Sequence, residues 1–183
     1  MSDNLGDDSY GEPKRIVSLL GVGDTSPWAW NGSQSNLTDQ VRKSMFATMH
    51  GAVRRKVSEE DVFAITDYLQ SLSPPPGIDV ARGRVDTLAV ERGREVFRSS
   101  GCVECHVPPE YTLPDVRPTG LADAERSGEL NPPSLRGVSQ QIRWLHDGRA
   151  TTLRDVFTVF HHHGSEDLTP REIEDLESFL RSL

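Results

Sequence analysis

Two thiols and an imidazole are the side chains in this sequence best spaced to act together. They stand in Gly101-Cys102-Val103-Glu104-Cys105-His106, and there are no other cysteines. Cys-x-x-Cys-His is the attachment motif of c-type haem. Two thiols three residues apart at the start of a helix can each form a thioether to a haem vinyl group. The histidine that follows then points at the iron as proximal ligand. Three other chemistries use the same residue types. One disulfide across a two-residue gap would constrain almost nothing. A thioredoxin-like redox pair asks for a βαβ setting, and none is visible around the motif. A zinc-binding structural module could recruit two histidines, but such sites usually show a second paired cluster of ligands at fixed spacing. The residues themselves point to one covalently bound haem c on Cys102 and Cys105, with His106 on the iron.

The elements that must carry this motif read as helices. Leu37, Val41, Ser44, Met45 and Thr48 share one helical face behind Asn36 or Ser35. Ser58-Glu59-Glu60-Asp61 is a capping box. It opens a helix to about Leu72, with Val62, Ile65, Tyr68, Leu69 and Leu72 inward. Ser73-Pro74-Pro75-Pro76-Gly77 stops it. A helix from about Thr87 to Ser100 delivers the chain to the haem motif, with Leu88, Val96 and Phe97 inside. Residues 107–133, rich in Pro, Gly, Asp and Glu, read as loop. Thr151 can cap a helix Leu153–Phe160. Thr169-Pro170-Arg171-Glu172 opens a last helix with Ile173, Leu176, Phe179 and Leu180 on one face. No segment alternates well enough to be a strand, so the expected fold class is all-α.

Composition limits the partners. Of the 183 residues 35% are apolar and the formal net charge is −8. That balance argues against nucleic acid and against anionic membrane surfaces. No stretch approaches the roughly 18 to 20 apolar residues of a membrane span. Adding glycine brings the apolar share to about 43%, slightly below the range of ordinary globular chains. A lean core of this kind suits a domain completed by a large flat cofactor.

The sequence repeats itself. Ser18-Leu19-Leu20-Gly21-Val22 matches Ser134-Leu135-Arg136-Gly137-Val138, Trp30-Asn31-Gly32 matches His146-Asp147-Gly148, and Leu37 and Asp39 match Leu153 and Asp155. The offset is a constant 116 residues (18 to 134, 32 to 148, 37 to 153). Near the tail, Leu69 and Leu72 match Leu180 and Leu183 at an offset of 111. The first copy's equivalent of Cys102–His106 would fall before residue 1. The expected organisation is a disordered lead over 1–14, a haem-less cytochrome c-like half-module over 15–73, a linker over 74–86 and a cytochrome c haem domain over 87–183.

These stretches resemble the bacterial di-haem cytochrome c peroxidases and their relatives, including the di-haem enzyme that matures methylamine dehydrogenase. The resemblance rests on the haem motif, on Asn131-Pro132-Pro133-Ser134-Leu135-Arg136-Gly137-Val138, on Leu145-His146-Asp147-Gly148-Arg149-Ala150-Thr151-Thr152-Leu153, and on Leu168-Thr169-Pro170 leading into Asp175–Leu180. It covers about residues 14–183. It implies two cytochrome c-like domains facing each other, one haem each, in the periplasm. The N-terminus is polar and acidic rather than a signal peptide. Since covalent haem attachment happens outside the cytoplasm, we expect an excised C-terminal portion of a longer protein whose address and first haem motif lie upstream.

The resemblance also implies where the sixth iron ligand lies: after the His146-Asp147-Gly148-Arg149 stretch, near the end of the next helix. Here that is Phe160-His161-His162-His163-Gly164. Phenylalanine cannot ligate iron. Some relatives carry a His-Gly pair, which His163-Gly164 matches, so His163 is the first choice. Met49, the corresponding residue of the first module, is next, followed by His162 and His161. Trp30 matches the tryptophan that the family places between its haems as an electron relay. His146 and Arg149 are candidate haem-edge contacts, and Arg136 and Arg143 share with Arg149 the guanidinium fork that suits haem carboxylates. The family's interdomain calcium is not expected, because Gln141-Ile142-Arg143 and Arg15 replace its ligands. The functional expectation is electron transfer by a mono-haem domain of a larger periplasmic oxidoreductase, rather than a self-sufficient peroxidase. A peroxide-reducing di-haem enzyme lacking its first haem here is the alternative. The implied partner is a redox protein or an upstream domain of the same polypeptide. A homodimer through the uncovered face of the first module is a further expectation.

Overall fold

Helix starts in this chain are set by short polar side chains that satisfy the first free backbone N–H groups. The computed structural model describes residues 2–3, 14–49, 57–121 and 129–183. Most of the lead expected to be disordered, residues 1 and 4–13, lies outside the described residues. Helix α1 (Leu37–Lys43) begins where the Asn36 side chain accepts from the N–H groups of Thr38 and Asp39, and it runs on into a π turn, Ser44–Thr48. Helix α2 (Glu59–Ser71) starts at a complete Ser58–Asp61 capping box. A four-residue turn of helix, α3 (Ile78–Ala81), follows the proline run. Helix α4 (Thr87–Ser99) is capped by Asp86. Capping boxes at Thr152–Asp155 and Thr169–Glu172 open α5 (Leu153–Thr158) and α6 (Pro170–Leu180). Each such cap is worth about 1 kcal/mol.

The packing forms two apolar clusters. The larger joins Val90, Val96, Phe97, Val156, Phe157, Ile173, Leu176 and Phe179; the smaller holds Val22, Leu37, Val41, Val62 and Leu69. Helices α4 and α6 make the most extensive contact in the fold. Gly93 permits it: a Cβ there would lie 1.9 Å from the Asp175 carbonyl oxygen. Phe97 and Phe179 pack at 5.3 Å between ring centroids, with Tyr111 edge-on at 5.9 Å to each. At the margin of this crossing Arg92 grips Asp175 through two hydrogen bonds of 2.8 and 2.7 Å.

The sequence repeat is also a repeat of backbone geometry. Gly21 and Gly137 both adopt positive φ (76° and 68°) before short 3-10 turns, Val22–Asp24 and Val138–Gln140. Their N–H groups bond the Leu72 and Leu183 carbonyls at 2.9 and 3.0 Å. Trp28 and Trp144 each donate Nε1–H to the first residue of that turn, Val22 (2.9 Å) and Val138 (3.1 Å). Each also pairs with a strand-like partner, Gln34 and Ala150. The segment between the two copies is packed rather than free. Asp79 of α3 takes two hydrogen bonds from Arg181, and Gln140 bonds the Pro76 carbonyl. A Cβ on Gly77 would collide with Ser182.

Several expectations change in detail. Two two-residue antiparallel pairs occur, β1 (Ser2–Asp3) with β2 (Lys14–Arg15), and β3 (Arg117–Pro118) with β4 (Glu129–Leu130). The second pair lies inside the segment read as loop. The α5 cap is Thr152 rather than Thr151, and the helix ends at Thr158. Leu88 and Tyr68, expected inside, are 67% and 64% exposed, while Ala89, Val90 and Thr66 are buried in their place. The other inward positions hold, with Val62, Leu69, Val96 and Phe97 all buried.

Candidate functional site

The haem-type motif sits where α4 ends. Gly101, at φ 77°, turns the chain into a 3-10 turn, Cys102–Glu104, and the His106 N–H closes onto the Cys102 carbonyl at 3.0 Å. His106 is buried. Its Nδ1 lies 3.1 Å from the Tyr111 carbonyl oxygen. A carbonyl can only accept, so Nδ1 carries the proton and Nε2 keeps its lone pair. Tyr111 is held in turn: its carbonyl also accepts the Leu135 N–H (3.2 Å), and neighbouring Thr112 donates to the Pro132 carbonyl. The Asn131–Val138 stretch thus orients the histidine from behind, as a second shell orients a metal ligand. Burial pushes the His106 pKa down to about 4, so the ring is neutral at ordinary pH.

Cys102 and Cys105 are unpaired thiols. Burial pushes Cys102 up to about 11 and also raises Cys105. These are protonated thiols, unlike the low-pKa cysteines of redox catalysts. Among the described residues no three His, Cys, Asp or Glu side chains converge as metal ligands, so the structure lends the zinc module no support.

Both cysteines and His106 open onto a cleft that is in part continuous with solvent. Its walls are largely apolar, from Phe97, Leu135, Val138, Trp144, Phe157 and Leu176. Two free thiols, a neutral histidine with a fixed tautomer and a wide apolar slot fit a haem attached through thioethers. The larger apolar cluster borders this slot.

Sequence-predicted residues divide between those in the cleft and those outside it. Trp30 and His146 both line it, edge to face with ring centroids 6.2 Å apart. His162 and His163 line it as well. His163 is exposed, as is His161, whose φ is 45°. His162 is the inner one: its Nδ1 is buried with no hydrogen-bond partner, the ring bonds the Thr119 carbonyl, and its charge bears on His106. Gly164 pins this loop to the motif, since a Cβ there would meet the Ser100 carbonyl at 2.1 Å. Met49 and Arg149 are not among the cleft residues. Met49 is 41% exposed, and Arg149 is held by Asp147 at 2.6 Å. Arg136 and Arg143 are exposed.

Two arginines line the cleft that the sequence reading did not assign to haem, Arg117 and Arg15, the latter named there only as a replaced calcium ligand. Arg117 lies on β3, whose two-residue pairing leaves no periodic signal. Arg15 comes from the first module and bonds across to the second, through its N–H to the His146 carbonyl and its Nε–H to the Leu145 carbonyl. Asn131 strengthens the same seam, with its N–H on the Trp30 carbonyl (2.7 Å) and its side chain on the Pro27 carbonyl.

No protein-family profile and no curated sequence matches this chain. Solved structures do match in fold. Hydrazine synthase of Kuenenia stuttgartiensis, in a xenon-pressurised crystal, superposes with a TM-score of 0.77 at 19% identity, covering 94% of this chain and 73% of that one. A MauG-like protein associated with microbial copper homeostasis gives 0.66 at 17% identity, covering 93% and 73%. At these identities the likeness is one of fold, and it extends over nearly the whole chain.

Proposed function

We propose that this chain is a redox domain carrying one haem c, attached through Cys102 and Cys105 and ligated by His106, that transfers electrons within a larger periplasmic oxidoreductase. The observation that carries the reading is the His106 ring, kept neutral by burial and held in one tautomer by the Tyr111 carbonyl, beside two free thiols on an apolar cleft. Its fold likeness to a MauG-like protein agrees with the family that the motifs resemble. When bound, the haem supplies a one-electron iron couple. The chain's own residues fix the ligand geometry, exclude water and set the potential.

His162 is our choice for the sixth position, ahead of His163. Its buried Nδ1 lacks a partner and faces cost without one. The first module is read as a haem-less half of the same fold, and Trp30 as the relay at the haem edge. No described helix is long and apolar enough to cross a membrane. The partner is another redox protein or an upstream domain of the same polypeptide. A redox titration of the haem-loaded chain tests the function: a reversible one-electron couple with negligible peroxide turnover is expected, and rapid peroxide turnover by the isolated chain would overturn it.

A further inference from the structure

Arg15 is out of place as an ordinary surface charge. It lines the cleft although it belongs to the first module, and burial alone lowers its pKa, with no carboxylate acting on it. Among the described residues no acidic side chain pairs with it. Its Nε–H is taken by the Leu145 carbonyl at 3.2 Å, and its guanidinium carbon lies 5.7 Å from the Trp30 ring centroid. Those contacts orient the group but bring no negative charge. Its backbone is fixed as well: the N–H bonds the His146 carbonyl at 2.5 Å, and the carbonyl accepts Trp30 Nε1–H at 2.8 Å.

A half-buried guanidinium held this firmly, on an apolar wall and without a counter-ion, is costly unless something in the cleft supplies one. Haem carries two propionate carboxylates, and a guanidinium fork matches a carboxylate better than any other side chain does. We infer that Arg15 anchors a haem propionate, so that the first module contributes a charged group to the second module's cofactor. This rests on the haem reading above. It gives the first module a role in the redox site itself. Any movement of Arg15 relative to Trp30 and His146 then changes the charge beside the haem. Arg149, the guanidinium picked from sequence for the haem edge, is already neutralised by Asp147.

The test compares the haem-loaded wild type with Arg15→Gln and Arg15→Lys, measuring haem per chain and midpoint potential against pH. Loss of a positive charge favours the oxidised iron and raises the propionate pKa. Arg15→Gln therefore moves the potential negative and shifts its pH inflection upward, with haem content retained. Arg15→Lys keeps the charge and moves the potential by less than half as much. Equal shifts in the two variants, or no shift in Arg15→Gln, overturn the assignment. Should Arg15→Gln fail to fold, Arg15→Met, neutral and of similar length, takes its place: a negative shift larger than that of Arg15→Lys supports the anchor, and a potential at the wild-type value refutes it. A wild type that takes up no covalent haem would overturn the proposed function instead, before either variant is read.

Discussion

Replacing Gly93 by alanine sets two known effects against each other at the centre of the fold. In an isolated helix the change stabilises by about 1 kcal/mol, because alanine loses less backbone entropy. Here the new Cβ would stand 1.9 Å from the Asp175 carbonyl oxygen and 2.8 Å from the Phe179 Cβ. Both obstacles are fixed by α6, so relief requires α4 and α6 to separate by more than an ångström. Separation loosens the Phe97–Phe179–Tyr111 cluster and strains the Arg92–Asp175 pair. Overpacking in a well-packed core costs roughly 1–3 kcal/mol, occasionally more; a contact this short sits at the upper end, so the net loss after the helix gain is about 2 kcal/mol. At about 2–4 °C per kcal/mol for a chain of this size, Tm should fall on the order of 4–8 °C. Gly83→Ala is the control: its φ is +61° but nothing lies within 4 Å, so only local strain of about 1 kcal/mol should appear. Thermal and denaturant unfolding of both variants reads the difference. A Gly93→Ala protein as stable as wild type would refute the close crossing of α4 and α6.

Two further outcomes follow from the same geometry. Arg92 hydrogen-bonds Asp175 and, with Arg171 3.6 Å away, holds its carboxyl below the usual range. A depressed carboxyl pKa adds stability above the unfolded value of about 3.9 and loses it as pH falls through the folded value. Arg92→Gln should therefore flatten the acid limb of a Tm-against-pH curve below about pH 4, and curves parallel to wild type would contradict the pairing. In the haem-loaded chain, His162→Ala should open the iron to added imidazole or cyanide while His163→Ala leaves the spectrum unchanged; the reverse pattern would return the sixth position to His163.

Local signals were the legible part of this sequence. Asn36, Ser58 and Thr169 cap helices as expected because a cap needs only a side chain and the next three residues. The repeat was legible for a similar reason: Gly21 and Gly137 have φ values only glycine adopts easily, and both tryptophans serve the same turn. What failed depended on tertiary packing. The α4–α6 crossing is centred on Gly93, which counts as nothing in a hydrophobic pattern, so the pattern favoured Leu88 over Ala89 and Val90. Within the histidine run the motif resemblance favours His163, whereas in the fold His162 is the one with a buried ring nitrogen, beside positive φ at His161 and Gly164 that no sequence pattern announces. Arg15 is legible in the sequence only as a replaced calcium ligand, because the His146, Leu145 and Trp30 contacts that hold it are distant or loop-borne.

The central claim is covalent haem at Cys102 and Cys105, and intact mass together with the pyridine haemochrome spectrum tests it most directly. The chain should be expressed in a periplasm with c-type maturation machinery. The account predicts one haem per chain that survives denaturation and acid extraction, and its loss in a Cys102→Ser, Cys105→Ser double variant. A wild-type chain at its unmodified mass, with no haemochrome, would contradict it.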